Sequence, residues 1–140
     1  MTNVRTILSA TLLASAAIGT QIVLTDQYLL AAAPSHYYGL AAFVAIDVIL
    51  ALALWKRVRF GSVVSIALAT VQAIAMLGDV LTYSTPDVPQ QAFRSYLLNN
   101  PAFMALLVVQ PIILGLAFAA TNVRSDYGIV RRWFQTNLLH

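Results

Sequence analysis

The sequence predicts an all-α, integral membrane four-helix bundle, and three observations carry that expectation. Of its 140 residues 60% are hydrophobic and only 9% charged, and the mean hydropathy is +0.79, far outside the range of a soluble domain. Four apolar segments are each long enough to cross about 30 Å of hydrocarbon. The charges cluster at the ends of those segments. Helices are the expected spanning form, because four strands cannot close a barrel and lipid satisfies no backbone group. One membrane domain, 1–140, is the natural organisation.

The first span is expected at about 6–30. Arg5 ahead of an apolar run resembles the start of a secretory signal, but the core from Ile7 to Leu24 exceeds the usual signal length and reads as a span. The second span is expected at about 38–55 and the third at about 62–83. The short connection Lys56-Arg57-Val58-Arg59-Phe60-Gly61 makes them antiparallel neighbours. Between the third and fourth spans, Ala92, Phe93, Tyr96 and Leu97 recur at helical spacing. They predict a short interfacial helix over about 88–98, with Asp87 as N-cap and Pro89 in its first turn. Asn100-Pro101 is a start signal for the fourth span, about 101–121. A C-terminal amphipathic helix is expected at about 126–139, where Val130, Trp133, Phe134 and Leu138 share one face and Arg131, Arg132 and Gln135 the other.

If the spans alternate, Arg5, Lys56, Arg57, Arg59, Arg124, Arg131 and Arg132 fall on one side and Arg94 alone on the other. The positive-inside rule then predicts a cell-membrane protein, multi-pass, with both termini cytoplasmic.

Asp47 lies halfway along the second span, where an ionisable group is costly unless it is paired, protonated or turned to a protected interior. At a rise of about 1.5 Å per residue it lies about 13 Å from the outer end. Gln72 and Gln110 fall about 16 Å and about 13 Å along the third and fourth spans. The three form a buried polar layer near the midplane, with Asp47–Gln72 the simplest pair. With no cation at that depth, Asp47 is expected to be an uncharged acid donating to an amide oxygen. Pro111, next to Gln110, removes a backbone donor and frees a carbonyl near Leu107. The default role of such a layer is interhelical hydrogen bonding, at about 0.6 kcal/mol per bond. The functional alternatives are a pocket for a small ligand, a bound lipid or quinone, and a proton or ion path.

A second polar group, Asp26, His36, Asp79 and Tyr83, is expected toward the outer surface with Tyr37, Tyr38 and Arg94. An aromatic belt with aspartates capping or pairing near water is its default reading. A metal would want three or four close ligands, so no metal site is expected. Small residues four apart, Ala10/Ala14, Ser15/Gly19, Ala69/Ala73 and Gly115/Ala119, predict close helix approach.

The sequence has no cysteine and two histidines, His36 and His140, which removes thiol chemistry and leaves no imidazole pair for a haem between helices. No histidine is expected to share the depth of the serines and make a nucleophile–base pair, and no phosphate-cradling glycine pattern occurs. The basic residues form no surface suited to nucleic acid. The expectation is therefore a non-catalytic accessory subunit of a larger prokaryotic membrane complex, such as a respiratory or other energy-converting one. It would have no cofactor of its own, and its partners would be the bilayer and other membrane subunits. The alternative is a small oligomeric transporter or channel with Asp47 as its proton- or ion-coupled group.

Overall fold

A computed structural model describes residues 4–58 and 60–121. These residues are helical without strands: α1 Val4–Thr25, α2 Gln27–Ala32, α3 Pro34–Trp55, α4 Gly61–Thr82, α5 Gln90–Asn99 and α6 Pro101–Ala120. Four of them, α1, α3, α4 and α6, are long and apolar enough to cross a membrane, and the chain is a multi-pass membrane protein. The expected C-terminal helix, with Arg124, Arg131 and Arg132, lies outside the described residues, as does Arg59.

The helix boundaries follow local chemistry. The first apolar stretch is not one helix to residue 30. Asp26 leaves helical geometry and its carboxylate accepts from the Leu29 N–H at 2.9 Å, so it caps a new short helix, α2. α3 begins at Pro34, four residues before the expected start, because a proline at the first helical position forfeits no hydrogen bond. Asn100 behaves as its sequence signal predicts: its side-chain oxygen accepts from the Ala102 and Phe103 N–H groups at 3.0 and 3.3 Å, and Pro101 opens α6. Asp87 does not cap α5. Residues 85–88 close a turn of their own, where the Val88 N–H donates to Thr85 Oγ1 and the helix begins after Pro89.

The α3 terminus is a Schellman motif. The Val58 N–H reaches the Ala53 carbonyl and the Arg57 N–H the Leu54 carbonyl, with Arg57 in the left-handed region at φ 56°. The chain then turns into α4 at Gly61.

α1 packs along α3 and α6, and α4 packs along α6, while α3 and α4 touch over only a short stretch. The close antiparallel pairing expected of the helices flanking the Lys56 turn is therefore loosened, and a space opens between them. Packing concentrates in two apolar clusters. One, near the α3–α4 turn, joins Leu8, Leu12, Leu50, Leu54 and Ile113. The other, at the α5 end, joins Ile22, Leu29, Val80, Phe93, Phe103 and Leu106. Dispersion contacts hold such clusters, since burial from lipid carries little hydrophobic gain.

Of the predicted small-residue pairs, Ser15/Gly19 makes the closest approach. Both are buried, and a Cβ on Gly19 would lie 2.6 Å from Val44 Cγ2 of α3. The Ser9 hydroxyl adds a bond to the Ala51 carbonyl at 2.8 Å. Ala10/Ala14 and Gly115/Ala119 are exposed instead; apolar residues surround them on every face, so spacing alone does not reveal which side is packed. Tyr38, Ile49, Trp55, Ile74, Val108 and Phe118 likewise turn outward, as lipid-facing side chains do.

Candidate functional site

Between the two apolar clusters lies a polar layer drawn from four helices. Asp47 of α3, Gln72 of α4 and Gln110 of α6 are 2%, 4% and 2% exposed. Gln72 Nε2 donates to Asp47 Oδ1 at 3.2 Å. The polarity of this bond is the reverse of the expected one: the amide is donor and the carboxyl acceptor. Ser15 of α1 also presents its hydroxyl to Asp47, so two donors from different helices meet the carboxyl. The layer keeps unmet capacity, because Gln72 Oε1 and Gln110 Oε1 are both buried without a hydrogen-bond partner. A buried acceptor left unmet costs about 1–3 kcal/mol.

These residues are not sealed in a packed core. They line one part of a cavity of about 310 Å³ that extends from Asp47, Gln72 and Gln110 to His36, Asp79 and Asn100. His36 and Asp47 are eleven residues apart on one helix, so the cavity runs about 16 Å along α3. Its walls are mostly apolar, with Leu40, Phe43, Val44, Met76, Phe103 and Leu106 between the two polar regions. The gap between α3 and α4 is where it forms. Among the described residues, no lysine or arginine lines it.

The second polar group divides in two. His36 Nε2 and Asp79 Oδ1 are 2.8 Å apart, tying the first turn of α3 to the last turn of α4. Tyr83 packs edge-on against the imidazole with ring centroids 4.2 Å apart, and its hydroxyl donates to the Ala32 carbonyl at 3.2 Å. Phe93, fully buried on α5, stacks against Tyr83 at 4.4 Å. Asp26 belongs to a different cluster. Besides capping α2, it accepts from the Tyr96 hydroxyl, and from Asn100 Nδ2 at 3.1 Å. Burial, then the neighbouring Asp26 carboxylate, push the Tyr96 phenol well above its ordinary range.

Tyr37 donates to the Val23 carbonyl at 2.9 Å, whereas Tyr38 is exposed. Arg94 is exposed too and does not line the cavity. Among the described residues, no three of His, Asp and Glu converge as a metal ion would require.

Sequence reasoning missed Ser15, Tyr96 and Asn100. In the sequence Tyr96 reads only as part of an apolar face and Asn100 only as a helix boundary. Their polar ends were the available signal. It also missed a serine beside a histidine: Ser35 Oγ lies 3.2 Å from His36 Nδ1, whose other nitrogen meets Asp79. That order of contacts resembles a nucleophile, base and acid, yet two of the nearby donors that could hold an oxyanion are engaged. The His36 and Tyr37 N–H groups both bond the Ala33 carbonyl.

No known protein family, curated protein or solved structure matches this chain.

Proposed function

We propose that this is a non-catalytic membrane protein that binds a small amphipathic molecule inside the membrane, in the cavity between α3 and α4. The observation that carries the reading is the pairing of about 310 Å³ of space with two nearly fully buried amide oxygens, Gln72 Oε1 and Gln110 Oε1, left without partners on its wall. Pockets for small molecules combine apolar walls with a few placed polar groups in this way. Polar groups serving only as interhelical glue would be expected to satisfy one another. In this reading the four long helices form a bundle in the cell membrane, with both termini on the cytoplasmic side by the arginine and lysine bias.

A second reading is a small carrier with Asp47 as its coupled group. What favours it is that Asp47 lines the same cavity as the His36–Asp79 pair, so one space joins an acidic group in mid-helix to titratable groups at a helix end. Service as an accessory subunit of a larger complex is compatible with either reading and concerns where the ligand goes.

The test is native mass spectrometry on protein released gently from its own membranes, comparing the wild type with Gly39→Leu. Gly39 lines the cavity and a Cβ there meets nothing within 4 Å, so a leucine side chain has room to start into the space and also favours the helix. The expected result is a bound small molecule that the variant loses. Stoichiometric larger chains would add the accessory role, and uptake into liposomes lost in Asp47→Asn would favour the carrier. A wild type with no bound molecule, or one retained undiminished by the variant, would overturn the binding reading.

A further inference from the structure

Building on the cavity as a binding site, we infer that its mid-helix end takes the hydrogen-bond-donating head of a lipophilic molecule, an ammonium or a hydroxyl group. The argument is an inventory of donors and acceptors. Gln72 spends Nε2 on Asp47 Oδ1, leaving its own Oε1 unmet. Gln110 Oε1 is unmet as well. With the Asp47 carboxyl, this end of the cavity therefore presents oxygens from three helices, and both unpartnered side-chain atoms on its wall are acceptors. A head that can only accept, such as a carboxylate, a ketone or an oxidised quinone, would leave both amide oxygens unmet. A head with N–H or O–H groups completes the layer. The quinone entertained from sequence is thereby narrowed to its reduced, hydroxyl-bearing form.

Size and wall chemistry constrain the rest of the molecule. A cavity of about 310 Å³ is about twice the roughly 150 Å³ that takes up benzene, so the ligand is on the order of ten to fifteen heavy atoms. Val44, Phe43, Met76, Phe103 and Leu106 line the path toward His36, so an apolar body lies there. The ammonium form has an additional argument. Among the described residues no lysine or arginine stands on the cavity wall beside Asp47, and a ligand cation would supply the countercharge that an intramembrane carboxylate ordinarily requires.

The test uses the full chain in lipid nanodiscs with three probes of one size: octylamine, 1-octanol and 2-octanone. Binding is read by thermal stabilisation and by native mass spectrometry, each relative to Gly39→Leu, so that partition into lipid cancels. The expected result is at least tenfold tighter binding of the amine and the alcohol than of the ketone. Gln110→Leu should shrink that ratio toward one while the variant remains folded. Asp47→Asn distinguishes the two donor chemistries: the amine falls to the level of the alcohol if the head is ammonium, and neither moves if it is hydroxyl. A ketone that binds as tightly as the alcohol, with binding lost in Gly39→Leu, overturns the donor-head inference and leaves the cavity reading standing. If no probe binds the wild type more than Gly39→Leu, both fall.

Discussion

At the scale of single residues, an unmet acceptor and a met one should respond to substitution in opposite ways. Gln110 holds a buried oxygen without a partner. Replacing an unsatisfied polar group by an apolar one of similar volume removes a desolvation penalty. Gln110→Leu is accordingly expected to leave unfolding stability in nanodiscs unchanged or raised by about 1 kcal/mol, although it damages the proposed ligand layer. A loss of 2 kcal/mol or more would mean that Gln110 is satisfied and structural.

Tyr96 is the reverse case, because its hydroxyl is spent on Asp26. Burial and that carboxylate hold the phenol protonated beyond its ordinary pKa of about 10. The folded state then binds this proton more tightly than the unfolded state. The contribution is complete below about pH 10 and is lost as the pH rises above it. An alkaline titration should show wild-type stability falling faster above pH 10 than that of Tyr96→Phe. Tyr96→Phe itself should be about 1 kcal/mol less stable near neutral pH. Parallel profiles for the two proteins would refute the assignment.

At the scale of elements, the sequence announced what backbone chemistry controls and was silent on what packing controls. Asn100-Pro101 and the four apolar runs were readable because caps and hydropathy act locally. Asp26 was readable as polar but not as a helix break, since its carboxylate chooses the Leu29 N–H only once the chain bends there. Asp87 carried a cap signal that a competing turn at Thr85 took over. The polar layer was legible from depth alone: Asp47, Gln72 and Gln110 stand out against apolar neighbours. The cavity was not, because it depends on α3 and α4 separating after a tight turn, which residue types do not encode locally.

The turn itself supports a prediction. Arg57 occupies the left-handed region at φ 56°, where a Cβ is strained and glycine is favoured. Arg57→Gly is expected to stabilise the protein by about 0.5–1 kcal/mol. Thermal unfolding of the variant would show it, and a lower midpoint would mean that the arginine makes a compensating contact.

For the whole molecule, the arrangement has a physical logic. Two apolar clusters clamp the helices near their ends. The His36–Asp79 pair ties α3 to α4 at one end, and the Lys56 turn joins them at the other. Held at both ends and lightly packed between, the two helices leave space where a buried carboxyl and two unmet amides lie. A chain selected only for a tightly packed bundle would close that space, since interiors normally pack to crystal-like density.

The most direct test of this account is a crystal structure of the protein grown from lipid after extraction from its native membrane. The account predicts elongated density between Asp47 and His36, with a donor atom within hydrogen-bonding distance of Gln72 Oε1 and Gln110 Oε1. A collapsed gap between α3 and α4, with the Gln72 and Gln110 amides bonded to each other, would contradict it.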